Sequence, residues 1–410
     1  MFLQRLTLEN VRSIEKLELP FLTEDGKVRK WTLLLGENGS GKSTVLRAIS
    51  LLLAGSEALP ELLKNPDEWI RLGHDEAVIH ADMVTAKGQT RTAELRLRRG
   101  DKVKDVFTRN EKALDELDSA IEHSPRNYLT IGYGVSRRLS TTTQSPTAST
   151  GSSVLHHPRA LSVATMFSPD AVLNPLEGWA MDLHYRRGQQ GLRIVKKALT
   201  DLLPGVTFLG IDKERRQLLF KTPDGKIPLT LLSDGYQNVA AWCGDLLYRI
   251  TEIFADYKSP FSARGLLLVD ELDLHLHPIW KRQLVNYLTE KLPNFQIIAT
   301  THSALTVHQA GPEELYVLRR ETPSSAPTLY QFPGEPRKMM LHQLLLSPLF
   351  NLPTVDSPHV ETQKAEFRRL RATPMSKLAP TEKRRFKELK QDISELPEWS
   401  AETEQDKRRR

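Results

Sequence analysis

Residues 36–44, GENGSGKST, satisfy the spacing G-x-x-x-x-G-K-[ST], with Gly36, Gly41, Lys42 and Ser43 at the fixed positions. Glycines let the backbone curl so that successive N–H groups point at phosphate oxygens. A lysine there reaches the β and γ phosphates of a nucleotide, and the Ser43 hydroxyl suits Mg²⁺. The apolar run KWTLLLG leads into the loop and the helical run KSTVLRAISLLLAG leaves it. A helix start adds a positive end to the cradle. Asn38, Gly39, Ser40, Gly41, Lys42, Ser43 and Thr44 are therefore predicted to hold ATP.

A phosphate loop needs acids, and GLLLVDE supplies them. Asp270 ends an apolar run and is placed to orient the Mg²⁺ water shell; Glu271 beside it is placed to polarise an attacking water. The next apolar run ends in ATTHS, where His302 can contact the γ-phosphate. In LHLHP, His275 and His277 lack the further ligands a dedicated metal site needs, so they read as the turn after the acids.

A second polar turn, LLSDGYQN, lies far downstream and opens another long helix. Ser233, Asp234, Gly235 and Gln237 offer a hydroxyl, exposed N–H groups and a positive helix end, hence a second anion site. Taken alone, Ser and Asp there are equally an N-cap. In order with the other three motifs, the turn is predicted to cover the ATP of a second, head-to-tail copy of the chain.

The elements that must position these groups alternate. FLQRLTLENVRSIEKLELPF reads as a half-buried strand or hairpin, and EAVIHADMVT with TAELRLRR as a second hairpin. Helices are predicted over residues 111–123, over GQQGLRIVKKALTDLLPG and over NVAAWCGDLLYRITEIFADY; buried strands are predicted at ARGLLLV, NFQIIATT and ELYVLRR. That alternation implies an α/β fold with a largely parallel sheet. The expected organisation is a head over residues 1–340, with an arm or insertion at about 57–200 that includes a disordered Ser/Thr loop at 139–153. A charged helical extension follows at 341–410.

The 410 residues carry 57 basic and 51 acidic side chains, a surplus that permits nucleic-acid contact without demanding it. The single cysteine, Cys243, allows no intramolecular disulfide, which fits a reducing cytosol. No signal-like or membrane-length apolar run occurs, so the expectation is a cytoplasmic protein without a membrane partner.

The four motifs in this order resemble the ABC-type ATPase heads of the RecF/SMC/OLD class. LTLENVRSIEKLEL with LLGENGSGKSTVLRAI is similar to their opening, LLSDGYQ to their signature motif, LLLVDELDLHLHP to their Walker B and D-loop, and ATTHS to their switch histidine. The DE…LHLHP form is similar to the OLD and AAA-15/AAA-21 branch. NYLTIGYGVSRR and TMFSPDAVLNPLEGWAMDL add a resemblance to the ATPase subunit of Septu antiphage systems. The resemblance implies an ABC-ATPase head with a mixed P-loop sheet, a β-rich N-terminal lobe, a short helical insertion and the helical extension. It further implies ATP and Mg²⁺ as ligands, a dimer or higher oligomer, and a separate HNH-type nuclease as partner. Contact with DNA or another nucleic acid is implied by the wider class, and the alternative reading of the chain is a RecF-like DNA-repair ATPase that itself clamps DNA. The family's glutamine loop has no clear counterpart; Arg137 and Arg138 lie where it belongs, as phosphate or DNA contacts or as a solvated basic turn. After residue 303 there is no D-x-D acid pair and no H-N-H arrangement, so nothing there suggests a nuclease on this chain.

Overall fold

The computed structural model describes residues 1–394 other than 86–87, 140–154, 175, 200–202, 204, 213, 224, 255–259, 275, 323, 351 and 375–376. Two compact units divide the chain, Met1–Leu344 and Leu345–Arg410.

The first unit is built on a six-stranded sheet. Its order from edge to edge is Thr328–Gln331, Leu315–Arg319, Trp31–Gly36, Phe295–Thr301, Gly265–Val269 and Thr130–Tyr133. All neighbours are parallel except the first pair, so the sheet is mixed. Trp31–Leu35, Gly265–Val269 and Phe295–Thr301 are buried at every position. That explains why their sequences read as continuous apolar runs: a parallel strand covered on both faces has no solvent side to fill with polar residues.

Parallel pairing fixes the site. Leu35 pairs with Thr301, while Val269 pairs with Ala299 on one side and Tyr133 on the other. The chain therefore leaves four adjacent strands at one edge, through the phosphate loop, the two acids, His302 and the turn at Gly134–Arg137. Ligands of open α/β sheets bind at this carboxyl edge.

Against this sheet lies a four-stranded antiparallel one, in the order Ile14–Pro20, Phe2–Val11, Glu76–Val84, Thr90–Arg98. Here burial alternates, as the polar–apolar alternation predicts: Leu3, Leu6, Leu8 and Val11 face inward. Their core continues into Val45, Leu46 and Ile49 of the helix Lys42–Leu52. The N-terminal lobe thus braces the helix that carries the phosphate loop.

Several expectations change. The span 57–200 is not an excursion from the head: Glu76–Val84 and Thr90–Arg98 complete the antiparallel sheet, and Thr130–Tyr133 forms an edge of the central one. The helix expected at 111–123 begins at Val103. The helix expected from Gly188 is the second half of Leu176–Leu199, which breaks at Gly188 with φ 53° and ψ −130°. A three-stranded antiparallel sheet, Thr207–Asp212, Gln217–Thr222 and Gly225–Pro228, was not foreseen. From residue 140 onward the predicted Ser/Thr loop lies outside the described residues.

In the second unit, helices Pro358–Ala372 and Pro380–Ser394 form a hairpin. Phe367 stacks on Phe386 at 5.0 Å with planes 4° apart, and Leu370, Leu378 and Leu389 are buried around the pair. These apolar positions pack on each other.

Candidate nucleotide site

The phosphate loop is shaped by glycines whose space or backbone conformation disfavours a side chain. A Cβ on Gly36 would lie 2.2 Å from the Leu318 carbonyl oxygen and 2.8 Å from Ser40 Oγ. Gly39 and Gly41 have φ of 76° and 102°, the left-handed region that glycine enters without steric cost. The curl carries the carbonyls of Gly36 and Glu37 round to Lys42, whose Nζ donates to them at 2.7 and 2.8 Å. Two of three ammonium protons are so engaged. The first-turn N–H groups of Lys42, Ser43 and Thr44 have no helical carbonyl to bond. Ser40 Oγ is buried and has no hydrogen-bond partner. These donors fit a polyphosphate.

Asp270 is buried, and Thr300 Oγ1 donates to its Oδ1 at 2.7 Å. The same hydroxyl accepts the Glu271 N–H at 2.7 Å. Glu271 has φ 46°, a left-handed conformation that costs a non-glycine residue about 1–3 kcal/mol. The turn holds this strained geometry through Thr300 and through Arg137, whose Nη2 donates to the carbonyls of Asp270 and Glu271, the latter at 2.6 Å. Asp273, two residues on, accepts from Thr301 Oγ1 at 2.6 Å and pairs with Lys281 at 3.2 Å. The Ser43 hydroxyl and the Asp270 carboxylate are two hard oxygen donors of the kind Mg²⁺ takes, with phosphate and water for its other positions.

His302 Nε2 lies 3.9 Å from Glu271 Oε1. Burial holds the imidazole below its ordinary pKa, and the Lys42 ammonium adds to the effect, while Glu271, Asp273 and Asp270 oppose it. Burial also lowers the Lys42 pKa, against the pull of Asp270, Glu271 and Glu37. The four predicted groups therefore feel one another's charge: Lys42, Asp270, Glu271 and His302 form one cluster.

Arg137 does not join them as a solvated basic turn. It is 4% exposed, its Nε donates to Gly134 O at 2.9 Å, and its guanidinium lies over the Trp242 ring at 5.8 Å. Burial pushes its pKa down to about 10, so it keeps its charge at neutral pH. The side chain of Arg138 lies outside the described residues.

Ser233 occupies the N-cap position of helix Asp234–Ile253, yet its hydroxyl makes no cap hydrogen bond, and the residue is exposed. Gln237 is spent locally, donating to the carbonyls of Thr230 and Leu232 at 3.1 and 2.7 Å. Tyr236 packs edge-on against Trp280 at 4.8 Å, tying this turn to the segment after the acids. The Asp234 side chain lies outside the described residues. The same helix is anchored inside the head: Asp245, fully buried, accepts from Tyr133 at 2.8 Å, Arg249 at 2.7 Å and Asn174 at 2.6 Å.

His277 accepts the Ile279 N–H at the start of helix Pro278–Lys281, in keeping with its assignment to a turn; His275 lies outside the described residues. Among the described residues no group of three His, Cys, Asp or Glu side chains is placed to hold a metal. No described helix is long and apolar enough to cross a membrane. Sequence reading missed Thr300, although it sits inside the quoted ATTHS, because its work depends on the neighbouring strand.

Fold and site together are those of a P-loop nucleotide-binding head, and they resemble the ATPase heads of the RecF/SMC/OLD class. Residues 187–307 match the family described as "AAA domain, putative AbiEii toxin, Type IV TA system", and residues 5–152 match one described as "AAA domain". The chain resembles the Septu protein PtuA of Bacillus mycoides (strain KBAB4), at 26% identity over 86% of this chain and 45% of that protein. It is 27% identical to the retron Ec83 probable ATPase of Escherichia coli, over 36% of this chain and 27% of that protein. This chain thus spans less than half the length of these curated relatives. Among solved structures it is similar to an SMC head bound to the C-terminal winged-helix domain of ScpA, with TM-score 0.47 and 14% identity over 81% of this chain and 98% of that one.

Proposed function

We propose that the chain binds and hydrolyses ATP as the regulatory subunit of an antiphage defence complex. Two heads close head to tail around the nucleotide and so control a separate HNH-type nuclease. The observation that carries this reading is the convergence of Lys42, Asp270, Glu271 and His302 at one sheet edge, with Glu271 held in a strained backbone conformation beside His302. In this reading Lys42 and the loop N–H groups bind the β and γ phosphates of the substrate. Ser43 and Asp270 hold Mg²⁺, which neutralises phosphate charge when bound. Glu271 takes a proton from the attacking water, and His302, neutral because its pKa is lowered, hydrogen-bonds the γ-phosphate.

The exposed Ser233 turn supports the shared site, since a hydroxyl at a helix N-terminus that makes no cap hydrogen bond suits the phosphate of a second copy. The similarity to the Septu protein PtuA supports the defence role, and the nuclease is proposed to be a separate partner rather than an activity of this chain. Mass photometry of the Glu271→Gln protein tests the reading. ATP should bring two heads together and keep them together, and the isolated wild-type chain should leave DNA and tRNA intact. A monomer at saturating ATP, or cleavage that vanishes on mutating an acid outside the ATP site, would overturn it.

A further inference from the structure

The second unit carries a charge pattern that the ATP site does not use. Residues 364–390 hold ten Lys and Arg against three acids, Glu366, Glu382 and Glu388. The rest of the chain then holds 47 basic and 48 acidic residues, so the basic surplus of the whole protein resides in this hairpin. Three of the ten cations are engaged: Lys364 with Asp356, Arg384 with Glu388, and Arg385 with Glu366. Arg368, Arg369, Arg371, Lys377, Lys383, Lys387 and Lys390 are exposed and have no carboxylate partner among the described residues.

Spacing orders these cations. Lys364, Arg368 and Arg371 fall at i, i+4 and i+7 on one helix, and Lys383, Lys387 and Lys390 fall at the same intervals on the other. Each row is therefore a stripe on one helix face. Each stripe also sits one residue beyond the inward row: Phe367 and Leu370 on the first helix, Phe386 and Leu389 on the second. One residue is a rotation of about 100°. The helices run antiparallel, since Gln363 meets Asp392 and Glu366 meets Arg385. In an antiparallel pair the same rotation away from the contact turns both stripes to the same side. The hairpin thus presents two parallel basic rows on one face, separated by roughly the 8–10 Å between packed helices.

From this we propose that the hairpin face grips the phosphate backbone of a nucleic-acid duplex. The aromatic rings of the hairpin are stacked on each other inside it, so the face offers cations without a base-stacking platform. That favours a duplex backbone over unpaired bases. Contacts of this kind carry no base code, so the grip is indifferent to sequence. It is independent of the nucleotide site and is measured without ATP.

The test is fluorescence anisotropy of a labelled DNA duplex with the full chain, across a salt series. The variant Arg368→Gln/Arg371→Gln/Lys383→Gln/Lys387→Gln/Lys390→Gln removes only exposed side chains. Each phosphate contact contributes about 0.9 to the magnitude of the slope of log affinity against log salt, so losing five reduces that magnitude by about 4.5. The pair Arg368→Lys/Arg371→Lys keeps the charge and should retain binding, as should a control, Lys16→Gln/Lys112→Gln, on the first unit. Unchanged affinity and slope in the five-site variant, or an equal loss in the control, would overturn the proposal. So would tighter binding of single strands or of anionic phospholipid vesicles than of the duplex at the same salt.

Discussion

Arg137 donates to the backbone carbonyl of Glu271 at 2.6 Å, reaching across from the turn that follows one strand to the acid that follows its neighbour. The guanidinium also bonds Asp270 and Gly134 and lies over Trp242, a residue of the helix opened by Ser233. One buried cation therefore touches both the acid turn and the helix predicted to serve a second head. Arg137→Ala leaves three carbonyls without this donor and releases the strained Glu271. Misplacing a reacting group by about 1 Å can cost about 10²-fold in rate. The expected outcome is a kcat lower by that order with ATP affinity little changed, read by steady-state turnover beside a calorimetric titration.

Lys42→Ala removes the cation that the loop carbonyls hold in place. ATP affinity should collapse while the circular dichroism spectrum and thermal unfolding persist. Ser233→Arg should leave ATP binding to the single head intact, because Ser233 is predicted to act on the neighbour's nucleotide. It should also abolish ATP-dependent pairing and turnover; normal hydrolysis by that variant would refute the shared site.

Glu271→Gln keeps the shape of the acid and removes its basicity. Loss of a positioned base costs typically 10²–10⁴-fold. Hydrolysis should fall by about that factor with ATP affinity retained.

The titration of His302 gives a sign that can be checked. Burial and Lys42 both lower its pKa, so its midpoint should lie below the ordinary 6.5 and the ring should be neutral at pH 7. The unfolded chain then binds more protons than the folded one between the folded midpoint and 6.5, so this group destabilises the fold as pH falls through that window. In Lys42→Ala the midpoint should rise, since a positive neighbour is gone. In Glu271→Gln it should fall, since a negative neighbour is gone. NMR titration of the imidazole carbon signals reads all three.

Asp245 is fully buried and holds Arg249, Tyr133 and Asn174. Asp245→Ala strands a largely buried guanidinium, a change that typically costs about 3–5 kcal/mol. Chemical denaturation should show a loss of that size. Asp245→Asn, which retains hydrogen-bonding oxygen and nitrogen, should lose less.

The sequence by itself determined which residues make up the candidate nucleotide site. Gly36, Gly41, Lys42 and Ser43 follow from a local loop whose shape depends on near neighbours in the chain, and Asp270, Glu271 and His302 stand out because each follows an apolar run. Continuous burial on both faces of a parallel strand writes those runs plainly into the sequence. The alternating N-terminal lobe was equally legible, since one buried face imposes a period of two. What only the tertiary structure decided depends on residues distant in sequence. Thr130–Tyr133 is too short to announce itself as a strand, yet pairing with Gly265–Val269 makes it the core edge and carries Arg137 to the acid turn. Thr300 reads as one more strand residue until the register places its hydroxyl between Asp270 and the Glu271 N–H. The span 57–200 looked like an arm because its charged stretches hide pairing partners far away in the chain. In the hairpin, the sequence shows a charged helical extension; the antiparallel packing of Phe367 on Phe386 is what sets the two basic rows side by side.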